Sequence, residues 1–481
     1  MEDDDLPGAR FERAKRSVGL GLGPAIAALV YVITRDGPAP LLAGLMALAV
    51  TWWLTEALPS AAVALMIAAL AVLTGLATPK QAFGAFGSPL LFMFVGSFFI
   101  AEAMKVHGLG QRAAGATAAL SRGPASLMVA LSGTTFVLST MMSNAAATAI
   151  VLPIALAAAA TSDRRFQAAL VLAIAWGASM GGLGTPVGTP PNLIGIGELR
   201  NRGEELGFGT WMGVGLPIGL AMLAVMWVVL LALFGLRGQA LTASSLPPAP
   251  ARRAWSRGEI ATLIALAVAV LGWLVPSVLA VAAPGSAATA WARGRMSEET
   301  VAIVAGCLLF VLPGGPRGTP RPALTWTEAT RIDWGVILLF GGGMLLGELA
   351  RETGLTHAWG AELVELTGAR STWAVVALCT GVSIVLSEAT SNTATATLMV
   401  PLAASLAAAT GDSPVPAVLG ATIGSSFGFM MPISTAPNAM AYGTGKVTMG
   451  QMMRAGIVFD VIGFVVVVAG LRVLCPLLGL G

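Results

Sequence analysis

Long apolar runs separated by short polar stretches fill nearly the whole chain. A spanning helix needs about 20 mostly apolar residues. Eleven runs fit one crossing each: 17–35, 39–56, 60–77, 88–105, 166–198, 210–236, 258–283, 299–313, 334–350, 415–446 and 453–478. Two more, 124–160 and 372–410, are too long for one crossing and are broken near the middle by polar residues, Ser139 to Asn144 and Ser387 to Thr393. Non-helical backbone at membrane depth is tolerated only where protein buries it or it lines a wet cavity. Both runs therefore read as re-entrant helical hairpins. The pattern predicts an all-α polytopic membrane protein with 11 transmembrane helices and two hairpins.

Composition and charge agree. The 481 residues are 56% hydrophobic and 11% charged, with mean hydropathy +0.82, whereas soluble domains carry about 25% charged residues. With the N-terminus in the cytoplasm, 18 of the 27 lysines and arginines fall on the cytoplasmic side, as the positive-inside rule requires. The basic residues form no long tract, which argues against nucleic-acid binding. Three cysteines (Cys307, Cys379, Cys475) and two histidines (His107, His357) supply neither a disulfide framework nor a catalytic or haem centre. No catalytic cluster of His, Asp or Cys marks an enzyme. The apolar run after Arg16 has no clear cleavage signal and reads as a retained first helix.

The chain repeats itself. Residues 133–153 align without a gap on 381–401, an offset of 248, with eight of 21 positions identical, among them Ser139 with Ser387, Ser143-Asn144 with Ser391-Asn392, and Pro153 with Pro401. At an offset of 246, Thr185 to Asn192 matches Met431 to Asn438, and Gly96, Glu102, Gly108 and Leu109 match Gly342, Glu348, Gly354 and Leu355. The chain thus divides into a tail and first helix (1–38), a first repeat (39–236), a Pro- and Arg-containing cytoplasmic linker (237–257) and a second repeat (258–481). Five spans per repeat is an odd number, so the second repeat is inverted. Inverted repeats with broken helices mark secondary transporters.

The breaks carry the chemistry. At a hairpin tip two helix ends leave backbone groups unpaired. Amides at the start of the returning helix favour an anion, and carbonyls at the end of the incoming one favour a hard cation such as sodium. Ser and Asn side chains add oxygens for the cation and donors for a carboxylate. A plain N-cap would explain one Ser-Asn pair, but not two at one repeat offset. The proline-rich stretches Gly184–Pro191 and Met430–Pro437 predict unwound backbone, with Thr189 and Thr435 offering hydroxyls. Glu56, Glu102, Glu348 and Glu388 are the notable acids within apolar runs, and such groups are functional candidates. Glu388 stands beside the second tip, where the first has Thr140, and both a structural and a site-tuning role fit it. Glu102 and Glu348, like Asp333 and Asp460, are placed near span ends. Trp52-Trp53 reads as an interfacial anchor, and 106–122 and 352–370 as interfacial helices.

Ser143-Asn144-Ala145, Ser391-Asn392-Thr393, Gly188-Thr-Pro-Pro-Asn192, Ser434-Thr-Ala-Pro-Asn438 and the Trp52-Trp53-x-Thr55-Glu56-x-x-Pro59 stretch together resemble the divalent anion–sodium symporter family, in order, from about residue 39 onward. The resemblance implies an elevator-type homodimer with scaffold and transport domains, and the Ala-, Gly- and Arg-rich composition without long loops points to a bacterial inner membrane. It implies sodium-coupled symport of small dicarboxylates such as succinate, malate, fumarate or 2-oxoglutarate. One sodium set would be Ser139, Ser143, Asn144 and Gly188; the other Ser387, Thr390, Ser391, Asn392 and Ser434. Substrate would meet Ser143, Asn144, Thr189, Pro190, Ser391, Asn392, Thr393 and Thr435. Two departures stand out. Ala145 replaces a Thr of the family pattern, and Ala436 replaces the Pro that the first repeat keeps as Pro190. Sulfate transport and sodium-independent exchange are the alternatives, and a channel or a membrane enzyme fits less well.

Overall fold

The computed structural model describes residues 7–235, 254–316 and 318–480. Helices account for most of them, and the only strand-type contact among these residues is an isolated bridge between Pro313 and Pro322. The first helix, α1 (Pro7–Ile33), precedes α2 (Pro40–Thr55), α3 (Ser60–Leu73), α4 (Pro79–Gly84), α5 (Pro89–Val106), α6 (Leu109–Ala119), α7 (Pro124–Ser139), α8 (Asn144–Ala158), α9 (Arg164–Gly182), α10 (Pro190–Asn201) and α11 (Phe208–Leu233). The second half holds α12 (Arg257–Ala282), α13 (Ala287–Arg295), α14 (Glu298–Val311), α15 (Trp326–Ala329), α16 (Trp334–Glu352), α17 (Leu355–Thr367), α18 (Thr372–Ala389), α19 (Asn392–Thr410), α20 (Pro414–Gly424), α21 (Ala436–Gly443) and α22 (Met449–Leu477).

The order of elements recurs. Apart from α13, the run from α2 to α11 has a counterpart for each member in the run from α12 to α22. Local chemistry recurs with it. The short helices α4 and α15 both open on a capping box, Thr78 with Gln81 and Thr325 with Glu328, which satisfies two otherwise unpaired amides. Burial pushes the Glu328 carboxyl up, yet bonds from Thr325 and the Arg321 guanidinium hold it below the usual carboxylate range. Proline at the first helical position starts α2, α4, α5, α7, α10 and α20, where its missing N–H costs nothing.

The two halves embrace each other. The long helix α5 packs on α14, and its counterpart α16 packs on α3. Glycine permits both crossings. A Cβ on Gly96 would lie 2.2 Å from the Ala302 backbone, and one on Gly342 would lie 2.6 Å from the Ala64 Cβ. The sequence match between these glycines therefore has a packing cause.

Among the described residues, eight helical segments are long and apolar enough to cross a membrane: 16–33, 79–106, 208–233, 257–282, 334–352, 372–389, 392–410 and 449–477. The runs at 39–56, 60–77 and 299–313 form shorter helices of 16, 14 and 14 residues. The runs 166–198 and 415–446 are each split in two, as α9 and α10 and as α20 and α21. Most of the sequence-assigned linker 237–257 lies outside the described residues. Trp52 and Trp53 are not interfacial anchors on this chain's surface. They are 7% and 5% exposed, and the Trp53 indole donates to the Ser60 carbonyl. Their helix α2 is sandwiched between α1 and α3, which covers the face the sequence left open.

Candidate functional site

At the first hairpin, α7 ends on Ser139 and α8 begins at Asn144 after the N-cap Ser143. The Ser143 hydroxyl accepts from the Ala146 amide at 3.3 Å. The fully buried Ser139 donates to Asn144 Oδ1 at 2.7 Å, tying the end of one arm to the start of the other. The second hairpin repeats this bond for bond. Ser391 caps α19 by accepting from the Ala394 amide at 3.2 Å, and Ser387 donates to Asn392 Oδ1 at 2.8 Å.

The broken helices meet the tips. The backbone is non-helical from Leu183 through Thr189 and from Ser425 through Thr435. Prolines 190, 191 and 437 lie in the first turn of the returning helix, so they restart helices more than they break them. A single asparagine fastens each loop. Asn192 Nδ2 donates to the Gly182 and Thr185 carbonyls, both at 2.7 Å. Asn438 Nδ2 donates to those of Gly428 (2.7 Å) and Met431 (3.1 Å). Thr185 also donates to the Thr140 carbonyl across at the tip, at 2.5 Å. Sequence reasoning named Asn192 and Asn438 only as motif positions.

Two glycines, 246 positions apart, form the junctions. A Cβ on Gly182 would lie 2.5 Å from Asn144 Oδ1, and one on Gly188 would lie 2.5 Å from the Gly182 carbonyl. Ser139, Asn144 and Gly188 thus gather around Gly182. A Cβ on Gly428 would meet the Ser387 carbonyl and the Ser434 Cβ, each at 3.0 Å. Ser387, Asn392 and Ser434 gather around Gly428, with Ser387 also donating to the Ser425 carbonyl at 2.7 Å. Thr390, the remaining member of that set, shares a 2.8 Å bond with Thr395 and donates to the Leu386 carbonyl at 2.9 Å.

The anion-recognition candidates all sit at helix starts. Asn144 opens α8, Thr189 caps α10 just before Pro190, Asn392 and Thr393 open α19, and Thr435 caps α21. Across the repeats, α8 packs on α21 and α19 packs on α10. Helix starts present unpaired amides and positive dipole ends. Thr435 spends its hydroxyl on the Asn438 amide at 3.2 Å, whereas Thr189 makes no side-chain cap bond.

Glu388 has a definite structural task. Its carboxylate accepts from the amides of Phe429 (2.6 Å), Met430 (2.9 Å) and Met431 (3.2 Å) and from the Ser434 hydroxyl (3.1 Å). It organises the second unwound loop, as Thr140 cannot do in the first. Asp460 is not at a span end. It lies in the interior of α22, 5% exposed, with its carboxyl facing that of Glu388. An acid inside an otherwise apolar run was the available signal.

Comparison with known proteins gives the arrangement a context. The profile of a family described as citrate transporter matches residues 50–424 and 290–480. The sodium-dependent dicarboxylate transporter SdcS of Staphylococcus aureus strain bovine RF122 / ET3-1 is 31% identical over 491 residues, covering 96% of this chain and 92% of that protein. SdcS of strain MRSA252 is 31% identical over 487 residues, with 96% and 91% covered. Among solved structures, the Alcanivorax borkumensis YdaH transporter superposes with a TM-score of 0.57 over 85% of this chain and 88% of its own, at 14% identity. That likeness concerns the fold.

Proposed function

The chain belongs to the family of citrate transporters and divalent anion–sodium symporters, and from that premise we propose that it is a secondary active transporter coupling sodium entry to uptake of small dicarboxylates. The observation that carries this reading is the bond from Ser139 to Asn144, repeated as Ser387 to Asn392, each beside an unwound loop. Such a tip has oxygens for a hard cation on one side and helix-start donors for a carboxylate on the other.

In this reading, Ser139, Ser143, Asn144 and the Gly188 carbonyl take one sodium ion. Ser387, Thr390, Ser391, Asn392 and the Ser434 carbonyl take a second. A dicarboxylate of the succinate type is held by its two ends between the repeats, by the helix starts at Ser143, Asn144, Thr189 and Pro190 and at Ser391, Asn392, Thr393 and Thr435. Sodium at the tips offsets the substrate's charge, so neither binds well without the other. Eleven crossings, two inverted repeats with re-entrant hairpins, a cytoplasmic N-terminus, a bacterial inner membrane, a homodimer and elevator motion of the hairpin-bearing domain complete the reading. Ala145 favours a second one. Without a hydroxyl there, sulfate or a dicarboxylate exchanged without sodium takes the place of symported succinate.

Uptake of labelled succinate into proteoliposomes, with an inward sodium gradient against a potassium control, decides. Saturable sodium-dependent uptake that disappears in Asn144→Ala and in Asn392→Ala is the expected result. No succinate uptake in either gradient sinks the dicarboxylate assignment, and uptake that is indifferent to sodium sinks the coupling.

A further inference from the structure

Behind the second hairpin tip lies a feature the first does not have. Glu388 and Asp460 are 7% and 5% exposed, and their carboxyls face each other. The two oxygens of Glu388 are taken up by three amides and the Ser434 hydroxyl. The two oxygens of Asp460 are buried, and beyond the Glu388 carboxyl and the Phe429 amide beside them neither has a hydrogen-bond partner. Phe429, whose amide bonds Glu388, and Phe459, next to Asp460 in the chain, form an aromatic cluster with Trp176, the Trp176 and Phe459 rings stacked at 5.1 Å and Phe429 set edge-on to both.

Among the described residues, no cation on the packed helices answers the pair. The helices packed against α22 are α11, α18 and α20. Of these, α11 and α20 carry no ionisable side chain, and α18 carries only Cys379 and Glu388. On α22 itself, Arg454 is exposed and more than a turn away, Arg472 lies over the Trp373 ring and Cys475 is near the far end. On α9, which supplies Trp176, the charges are Arg164 and Arg165 at its opposite end. Tyr442, on α21, is partly exposed. An unpaired buried charge is strongly destabilising, and two facing carboxylates in a low-dielectric interior repel as well.

We infer that Glu388, Asp460 and the Ser434 hydroxyl form a further sodium-binding subsite, adjoining the second hairpin-tip set, to which Ser434 gives its carbonyl. Oxygen-only ligands suit a hard cation. Among the described residues no group of three His, Cys, Asp or Glu side chains exists, and sodium is the hard cation that the symport reading brings to this chain. The position links the ion to transport. Ser434 donates to both the carbonyl and the carboxylate of Glu388, and Ser387 next to Glu388 is bonded to Asn392 at the tip. The first repeat has Thr140 and Gly188 in place of Glu388 and Ser434, so the extra ion belongs to one side only.

The inference rests on the sodium-coupled reading above, and the two are tested apart. Radioactive sodium binding at equilibrium is counted on the purified full chain without substrate, at pH 6 and pH 8, for the wild type and for Asp460→Asn. The expected result is one sodium fewer per chain in the variant at both pH values. Equal counts overturn the subsite and assign the pair a shared proton instead. Should Asp460→Asn fail to give a monodisperse chain, Asp460→Glu must keep the count and Glu388→Gln must lower it by one; any other pattern overturns the subsite. Succinate uptake by the wild type is measured in parallel. A lowered count in the variant with no succinate uptake supports the subsite and sinks the dicarboxylate reading. A wild type that binds no sodium sinks both.

Discussion

The two hairpin tips share one hydrogen-bond diagram and differ in what braces it. In both, a buried serine at the end of the incoming arm holds the asparagine that opens the returning arm. In both, an asparagine ten residues past a junction glycine fastens the unwound loop. The first tip is braced by close backbone approach at Gly182 and by Thr185 reaching the Thr140 carbonyl. The second is braced by a carboxylate, Glu388, that gathers three consecutive amides. What the tips share is the bond that joins the two arms and the asparagine that fastens the loop. Where they differ, duplication left each half free to find its own support.

Removing the support that only one tip has gives the largest effect. Glu388→Ala leaves the Phe429, Met430 and Met431 amides without the carboxylate that accepts from them, while Ser434 keeps the residue 388 carbonyl. Bonds to a charged group contribute about 1.5–3 kcal/mol each, so the loss comes to at least ~3 kcal/mol. Thr140→Ala, at the matching position, removes only a hydroxyl that bonds back to the Val137 carbonyl and should change stability by less than about 1 kcal/mol. Thermal unfolding of the two purified variants in detergent reads the contrast. Equal melting shifts would mean that the carboxylate is not the brace.

The junction glycines come next. Gly182→Ala puts a methyl 2.5 Å from Asn144 Oδ1, while Gly428→Ala puts one 3.0 Å from the Ser387 carbonyl and the Ser434 Cβ. The first substitution pushes directly on a proposed ligand, so it should lower sodium-driven uptake on the order of tenfold or more, because sub-ångström misplacement is costly at a preorganised site. The second meets backbone that gives way by a few tenths of an ångström, and uptake should fall less. Uptake rates at saturating sodium rank the two. The reverse ranking would break the view that Gly182 is set by Asn144.

Much of this was legible before any coordinates. The Ser139–Asn144 and Ser387–Asn392 segments and the Pro-rich stretches stood out because polar and helix-breaking residues are rare inside apolar runs and recur at one offset. The glycines Gly96 and Gly342 appeared as a match whose packing cause only the fold reveals. Three features were not legible. Trp52 and Trp53 are apolar enough for lipid or for protein, and only the placement of α2 between α1 and α3 decides. The loop-fastening role of Asn192 and Asn438 depends on carbonyls ten and seven residues upstream, a spacing that no helix or strand period highlights. Asp460 took on meaning only once folding brought α22 against Glu388, 72 positions earlier in the chain.

The smallest difference between the tips bears on substrate choice. Position 145 is Ala in the first tip, and its repeat partner, position 393, is Thr in the second. Both are second in their helices, one residue after the asparagine. The Thr393 carbonyl accepts from Thr397 at 2.8 Å, and its hydroxyl is the donor that Ala145 lacks. One hydroxyl donor is worth about 1 kcal/mol, or about fivefold in affinity. Ala145→Thr should therefore improve the apparent affinity for succinate over sulfate by about fivefold, and Thr393→Ala should reduce it by a similar factor. Competition of each anion against labelled succinate measures both ratios. If Thr393→Ala matters and Ala145→Thr does not, the substrate's two carboxylates are held unequally, with the second tip reading its identity and the first only its charge. If neither matters, selectivity lies in Thr189 and Thr435 at the starts of α10 and α21, and the tips serve sodium alone.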